Sequence, residues 1–496
     1  MSASAPAPAP APAPVPKRPK LIVLCDGTWC GSETNTKSNI FLLAKMIGIP
    51  VDRADPSKSL PIPYQDLNRE VQACYFPGSG VGGTFLAHLY NATAAMDIAN
   101  DCIEVYKYIV EHYTGNQEIW MFGLSRGSYT VRSVGGMINN CGIIKQAADF
   151  GGLTKQTIDR LCNDVYQIYR SPFPEDEPHG WNSDRFRRLS HVVSTPIKFM
   201  GLLDTVGAMG VPKLDSGIGL TFPEFHDQKI SSEVEKVYHA CAIHDRLWMF
   251  EPCRAIRDPD PNRPWLEVHE RWFPGCHYDL GRQRFQFFPN GEDVIQRLIA
   301  KALRPLGNII EPNNVLADLV LTWMLDSIRT EDTYSTVIRD NIISAKIDAL
   351  VANIIEAPET GSGDVYNCIL EYGPAGRLLA VGATMEDAAV AAINRLSQDH
   401  LGTAFGNIFD LKLIVGTIAA TRDRRIEDYE HHQAVVTRYD MPSNRFGNHS
   451  IETLARIDKK RYPSNTFENY QEDEHLIAMQ QGAAIVNPPP YWYLEE

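Results

Sequence analysis

The sequence GLSRG at residues 123–127 places Ser125 between two glycines, in the G-x-S-x-G pattern of a nucleophilic serine. The apolar run before it, at residues 118–122, predicts a β-strand, and the residues from Arg126 onwards predict a helix. A serine on a sharp strand-to-helix turn presents its hydroxyl to a cleft, and the helix offers its first N–H groups to negative charge. A tight turn without chemistry is the alternative, and the strand-to-helix context argues against it.

A serine hydroxyl needs a base to take its proton, and His277 is the best placed of the fourteen histidines. It follows an apolar segment and a Pro-Gly turn in the sequence WFPGCHYD, so it is expected at the end of a strand. Catalytic groups collect at that edge of a parallel sheet. His244, in the segment CAIHDRLW, is the second candidate.

Three carboxylates compete to orient this imidazole. Asp204 ends the apolar run IKFMGLLD, a loop follows it, and it is the preferred acid. Asp245 lies on a later segment, where hydrolases with this order of residues more often carry the acid, and it stays the alternative. Asp279 is two residues from His277, so its side chain is expected to point elsewhere. The acid would fix the imidazole tautomer and stabilise the imidazolium.

Two backbone N–H groups would hold the oxyanion in such a site. One is expected from Arg126, which directly follows the serine. The other would come from Gly27 or Thr28, in the loop after the first predicted strand. This chemistry requires no metal and no organic cofactor.

A dinucleotide-binding oxidoreductase is the main rival enzyme, because residues 78–83 read GSGVGG and match G-x-G-x-x-G. That fold needs a second strand soon after the helix, ending in an acidic residue. Here the chain is predicted helical until about Gly115, and the next strand leads into Ser125. A non-catalytic interaction protein that keeps a hydrolase fold is the other alternative.

Strand patterns alternating with helical patterns predict an α/β protein with a doubly wound, mostly parallel sheet. Residues 1–18 form an Ala/Pro-rich tail expected to be disordered, and residues 19–330 form the catalytic domain. Residues 141–193 are a helical insertion, equally compatible with a lid and with an ordinary packed excursion. Residues 331–496 are a mostly helical appended region of unknown role.

The composition narrows the partners and the compartment. A formal net charge of -14 disfavours nucleic acid, and peripheral contact with an anionic membrane would need a local basic patch. Three basic clusters, near residues 185–188, 422–425 and 459–461, are expected to be solvated faces. The ten cysteines form no C-x-x-C pair, and neither a secretory signal nor a membrane-spanning run is found, so a cytoplasmic protein is expected. The oligomeric state cannot be read from the sequence.

Five blocks together resemble one known family. They are CDGTW from residue 25 with TKSNIFLL following, FGLSRGSYTVR from 122, LLDTVGAMGVP from 202, VYHACAIHDRLWMFEP from 237 and WFPGCHYDLG from 272. They are similar to the α/β-hydrolase family once filed as a domain of unknown function, which includes the phospholipase effectors of bacterial type VI secretion.

The resemblance covers roughly residues 19–330. It implies an α/β-hydrolase fold, a serine esterase or lipase that acts on a lipid or phospholipid ester, and a triad of Ser125, Asp204 and His277. The sequence departs from the family where a run of glycines usually follows the histidine block, since Gly281 is followed by Arg282 and Gln283. That departure concerns the shape of the pocket and therefore the substrate.

Overall fold

A computed structural model of the chain describes most of residues 17–365 and two short segments beyond them. The described residues are 17–27, 36–53, 60–78, 92–145, 154–194, 196–207, 230–247, 250, 252–255, 265–286, 309–356, 360–365, 423–424 and 461–466. Thr28, residues 1–16 of the Ala/Pro-rich tail and residues 79–83 of the glycine-rich loop lie outside them.

Seven strands form the central sheet. They are β1 (Lys20–Cys25), β2 (Ile62–Asp66), β3 (Val71–Phe76), β4 (Glu118–Leu124), β5 (Ile197–Leu203), β6 (Val234–Ala242) and β7 (Glu267–Phe273). Their order is β2-β3-β1-β4-β5-β6-β7. Only the edge pair β2–β3 is antiparallel, and the other five neighbouring pairs are parallel. The predicted mostly parallel α/β sheet is therefore confirmed.

Helices flank both faces of this sheet. They are α1 (Asn39–Ile47), α2 (Ala92–His112), α3 (Arg126–Cys141), α4 (Lys155–Arg170), α5 (Trp181–Arg187), α6 (His277–Gly281), α7 (Asn314–Glu331) and α8 (Asp340–Glu356). A short antiparallel pair, β8 (Phe285–Gln286) and β9 (Ile309–Ile310), lies outside the main sheet. No helix in the described part of the chain is long and apolar enough to cross a membrane.

Alternate residues of β1 enter two separate cores, because successive side chains of a strand point to opposite faces. Ile22 and Leu24 pack with α1, α7 and α8 on one face. Leu21 and Val23 pack with α2, α3 and α4 on the other. β1 is fully buried because it lies between β3 and β4 and is covered by helices on both faces.

Two strands of the main sheet, β2 and β6, were not assigned from the sequence, nor was the short pair β8 and β9. β2 is a half-exposed edge strand that carries Pro63, and proline in a strand lowers a sequence-based assignment although edges tolerate it. β6 begins at the buried Val234, continues through two half-buried residues and ends in a continuous buried run. Its placement between β5 and β7 brings Ala242 beside the end of β5.

The insertion at residues 141–193 packs away from the start of α3. Tyr169 of α4 lies against Gly136, and Arg187 donates hydrogen bonds to the carbonyls of Asn139 and Asn140 at the far end of that helix. These contacts are those of a packed helical excursion. The lid role stays a prediction.

Asp279 of α6 ties three separate segments together. Its carboxyl group accepts N–H bonds from Cys276 at 2.8 Å and from Asn313 at 2.7 Å, and the Tyr462 hydroxyl donates to it at 3.1 Å. As expected, it points away from the imidazole of His277. Burial raises the pKa of Asp279 to about 7, and the three hydrogen bonds only partly oppose that rise.

The turn between β4 and α3 needs a glycine at position 127. A Cβ there would overlap the backbone carbonyl of Cys25, whereas a Cβ on Gly135 in the same helix would lie 3.4 Å from the Met200 side chain. We expect Gly127→Ala to lower the free energy of unfolding by about 1–3 kcal/mol, because backbone must move. Gly135→Ala is the control and should be neutral or stabilising by up to about 1 kcal/mol, since alanine favours helix. Urea unfolding measures both, and equal effects would contradict the close approach.

Asp279 should make the stability of the protein depend on pH. Its folded pKa of about 7 exceeds the ordinary value of 3.8, so its contribution is fully present below about pH 4 and is lost as pH rises through about 7. Asp279→Asn cannot ionise. The free energy of unfolding of the wild type minus that of the variant should therefore fall between about pH 5 and about pH 8. Urea titrations across that range test this, and a difference that is constant or grows with pH would refute it.

Candidate active site

Ser125 stands on a strained turn between β4 and α3, with φ 56° and ψ -119°. A non-glycine residue at positive φ costs about 1–3 kcal/mol and persists only where its surroundings hold it. Its N–H donates to the carbonyl of Leu203 on β5 at 2.9 Å, and its own carbonyl accepts from Tyr129 on the first turn of α3. The turn is therefore fixed by the neighbouring strand and by the helix that follows.

His277 lies between Ser125 and Asp204. Its Nε2 is 2.9 Å from the Ser125 Oγ, and its Nδ1 is 2.6 Å from the Asp204 Oδ2. An ionised carboxylate can only accept, so Nδ1 carries the proton and Nε2 is left to accept from the serine hydroxyl. That arrangement allows the imidazole to take the hydroxyl proton, because the geometry of proton transfer is already in place.

Asp204 is completely buried at the end of β5, with φ 40°. Its carboxylate accepts from His277 and from the Ala242 N–H at 2.9 Å. Both oxygens also accept from one guanidinium, because Arg424 Nη1 and Nη2 lie 3.0 Å from Oδ1 and Oδ2. Burial alone would raise the pKa of Asp204, but the charge of Arg424 and the bond from His277 hold it well below its ordinary value.

Arg424 is the partner that sequence reasoning missed. The basic cluster near residues 422–425 was expected to be a solvated face, but the Arg424 side chain is buried against Asp204. Nothing in the local sequence distinguishes this arginine from its neighbours. For Arg424 this prediction was wrong, because the partner that buries its side chain lies 220 positions earlier in the chain.

Asp245, the alternative acid, does not contact the imidazole ring. Its Oδ2 accepts the backbone N–H of His277 at 2.9 Å, and its Oδ1 accepts the N–H of Leu247 at 2.9 Å. Burial raises its pKa. Asp245 thus holds the backbone of His277, and Asp204 holds its side chain. His244, the second histidine candidate, likewise accepts a backbone N–H, from Gly275 at 2.9 Å.

An aromatic ring covers the imidazole. The rings of Phe250 and His277 are stacked with centroids 4.3 Å apart and planes 16° apart. The ring of Phe250 therefore packs against one face of the imidazole. The sequence offered no signal for this contact.

The candidate oxyanion donors are only partly described. Arg126 is the first residue of α3, and the first amides of any α-helix have no acceptor within the helix. The Gly27 N–H donates to the Asp26 carboxylate at 2.8 Å, and that carboxylate also accepts from Ser38 and Tyr75. Thr28 lies outside the described residues.

Arg282 stands where the resemblance leads one to expect glycine. It has φ 55°, a conformation that glycine adopts at little cost. Its guanidinium forms an ion pair with Asp318 and donates to Asn314 at 2.9 Å and to Asn39 at 3.2 Å. These bonds hold an arginine in left-handed backbone at the end of α6.

Among the described residues, one group of three side chains has the composition of a metal site: His239, Cys241 and Glu270. Its ligand atoms are already used. The Thr205 N–H donates to His239 Nε2 at 3.2 Å, and His239 Nδ1 lies 3.0 Å from Glu270, which also pairs with Arg254. Burial would raise the pKa of Glu270, but His239 and Arg254 lower it to about 2. The group fits a hydrogen-bonded network better than a cation site.

The matches to known proteins include one sequence relative and, among the solved structures, the two described here. An uncharacterized protein of Saccharomyces cerevisiae is 23% identical over 200 residues, which cover 36% of this chain and 27% of that protein. The structure of the Tle1 effector bound to the VgrG spike of the type 6 secretion system is 14% identical, with 70% of this chain and 82% of that chain covered and a TM-score of 0.29. An uncharacterized protein from Pseudomonas aeruginosa is 14% identical, with 82% and 64% covered and a TM-score of 0.29.

The match to a family model is broader. The model of the catalytic domain of Tle1-like phospholipase effectors of the type VI secretion system covers residues 19–327. It includes all of β1 to β7 and the residues Ser125, Asp204 and His277. Because the match spans well over half of the 496 residues, the chain belongs to the family of Tle1-like phospholipase effector catalytic domains.

Proposed function

We propose that this protein is a serine hydrolase of the α/β-hydrolase type, which cleaves carboxylic esters through an acyl-enzyme on Ser125. The observation that carries the proposal is the continuous series of hydrogen bonds from the Ser125 hydroxyl through His277 to Asp204. The strained turn at Ser125, at the end of a parallel strand, is the local geometry that a nucleophilic serine needs.

In the proposed mechanism, His277 Nε2 takes the hydroxyl proton while Ser125 Oγ attacks the ester carbonyl. The imidazolium is stabilised by Asp204 and then gives its proton to the leaving alcohol. Water enters, His277 takes a proton from it, and the hydroxide that forms attacks the acyl-enzyme carbonyl. The bond between Ser125 Oγ and the acyl carbon then breaks, the imidazolium of His277 returns its proton to Oγ, and the carboxylic acid leaves. No metal or organic cofactor is part of this reaction.

The oxyanion would be held by the Arg126 N–H and by one donor from the loop after β1, each worth about 2.7–4 kcal/mol in a typical site. To act as the second donor, the Gly27 N–H would have to break its hydrogen bond to the Asp26 carboxylate. Thr28 is therefore the better candidate for the second donor.

For the substrate we propose a lipid ester, and a phospholipid in particular. This rests on membership of a family named for phospholipase effectors. Such a substrate requires peripheral contact with a membrane surface. We keep a cytoplasmic-type compartment in the proposal, because the eight cysteines within the described ranges are all free thiols and seven of them are buried.

Ser125→Ala should remove hydrolysis of both p-nitrophenyl esters and phospholipid vesicles, because no other hydroxyl lies on His277 Nε2 in the described structure. A fluorophosphonate probe should label the wild type and not the variant. Ser232→Ala is the control, since its half-buried hydroxyl donates to the Asn139 side chain at 2.7 Å, away from the imidazole and from both strained turns. Ester turnover that survives Ser125→Ala would defeat the serine mechanism. A wild type that neither turns over nor labels would favour the non-catalytic alternative.

Asp204→Asn should lower kcat/KM by up to about 10⁴-fold, because an amide no longer holds the imidazole in the productive tautomer. Asp245→Asn keeps an oxygen that can accept the His277 N–H, so it should cost far less. Steady-state kinetics on one soluble ester compare the two, with circular dichroism to confirm folding. Equal losses would leave the acid unassigned between them.

A further inference from the structure

Three short segments beyond the family match contact the loops that carry the proposed acid and base. These C-terminal contact segments are residues 360–365, 423–424 and 461–466. Tyr462 donates to Asp279 beside His277 and lies with its ring centroid 5.7 Å from that of His244. The region of unknown role therefore reaches the active-site side of the sheet.

The same segments contact the loop after β6 and one another. Arg246 forms ion pairs with Asp364 at 3.6 Å and with Asp423 at 3.3 Å. The Thr466 hydroxyl donates to the Arg424 carbonyl at 2.9 Å. Arg246 and Thr466 thus hold residues 423–424 from two sides.

Both terminal nitrogens of the Arg424 guanidinium donate hydrogen bonds to groups of the candidate active site. Nη1 donates to Asp204 Oδ1 at 3.0 Å and to the Ala242 carbonyl at 2.5 Å. Nη2 donates to Asp204 Oδ2 at 3.0 Å and to the carbonyl of Phe250, the residue stacked on His277. A planar fork with two parallel N–H bonds fixes both the position and the rotation of a carboxylate.

We propose that Arg424 is a positioning residue for the reaction, and that the C-terminal region completes the active site by holding Asp204 ionised and turned toward His277. The inference rests on the proposed serine-hydrolase function. Arg424 touches neither the Ser125 hydroxyl nor the imidazole of His277, so its proposed effect on the reaction passes through Asp204.

The physical need for this arginine follows from where Asp204 lies. A fully buried carboxylate with only an imidazole and one amide as donors would be poorly compensated for its lost hydration. Lysine would supply the charge as a single point and would not reach both oxygens and two carbonyls at once. The geometry is therefore specific for arginine.

Arg424→Met in the full-length protein should lower kcat/KM on a soluble p-nitrophenyl ester by about 100-fold, with the loss mainly in kcat, because a small misplacement of the acid misaligns the base. Arg424→Lys should recover part of that loss. Arg339→Met, an exposed arginine in the same C-terminal region, is the matched control and should retain wild-type kinetics. A folded Arg424→Met with wild-type kcat/KM would overturn the inference.

A double-mutant cycle shows whether Arg424 acts through Asp204. Arg424→Met should cost at least about ten times less in the Asp204→Asn background than in the wild type, because the group it positions is already lost. The same cycle in the free energy of unfolding needs no activity, and Arg424→Met should destabilise the wild type more than it destabilises Asp204→Asn. Equal costs in the two backgrounds, in either measurement, would refute the coupling.

The pH profile separates positioning from a purely structural role. Without Arg424, burial raises the pKa of Asp204 unopposed by that cation, so the carboxyl gains a proton at higher pH than in the wild type. The ratio of wild-type to Arg424→Met kcat/KM should grow as pH falls from about 8 to about 5. A ratio independent of pH would argue for a general packing defect.

The two proposals fail in different ways. A wild type that neither hydrolyses esters nor reacts with a fluorophosphonate at Ser125 defeats the proposed function itself. An active wild type whose Arg424→Met variant is folded and equally active defeats only the role of Arg424.

Discussion

A full negative charge buried at Asp204 is the constraint on which this end of the molecule depends. Removing a carboxylate from water is costly unless donors and an opposite charge replace its hydration. Here the replacements come from the end of β6, from His277 at the start of α6 and from Arg424 in the C-terminal region. Segments that are far apart in sequence must therefore converge on one side chain. The full set of donors to this carboxylate is therefore present only when all of these segments are in place.

Two strained residues at neighbouring strand ends depend on each other. Ser125 and Asp204 both have positive φ, and they end β4 and β5, which pair in parallel register. The Ser125 N–H donates to the Leu203 carbonyl, one residue before Asp204, and the Ser128 hydroxyl bonds Leu203 as well. Strain of this kind survives only when its surroundings over-determine it. Parallel pairing therefore does more than bring the two residues close, because each turn supplies hydrogen bonds that hold the other.

The residues that the sequence predicted are marked by features of the chain next to them, whereas the residues that it missed depend on partners far away in the sequence. Ser125, Asp204 and His277 each carry a local signal, since an apolar run ends beside each of them, and parallel strands bring such ends to one edge. Arg424 carries no local signal, because its only distinguishing feature is a partner 220 residues away. The strand β2 was missed because a half-exposed edge with a proline lacks a buried run. Gly27 lies in the loop where an oxyanion donor was expected. A sequence does not show, however, that its N–H already donates to the carboxylate of Asp26.

A second imidazole, that of His239, also lies beside a buried carboxylate near the carboxyl ends of the parallel strands. Comparing it with His277 shows why only one of the two can take part in proton transfer. His239 lies 3.0 Å from Glu270 through Nδ1, much as His277 lies beside Asp204. On the other ring nitrogen the two differ, because His239 Nε2 accepts the backbone N–H of Thr205, whereas His277 Nε2 faces the Ser125 hydroxyl. A backbone N–H does not give up its proton, so the His239–Glu270 pair can only fix the backbone directly after Asp204. A serine hydroxyl can give up its proton, so the His277–Asp204 pair is the one able to accept it. Both pairs therefore act around Asp204. The His239–Glu270 pair holds the backbone that follows Asp204, and the His277–Asp204 pair uses the negative charge of Asp204.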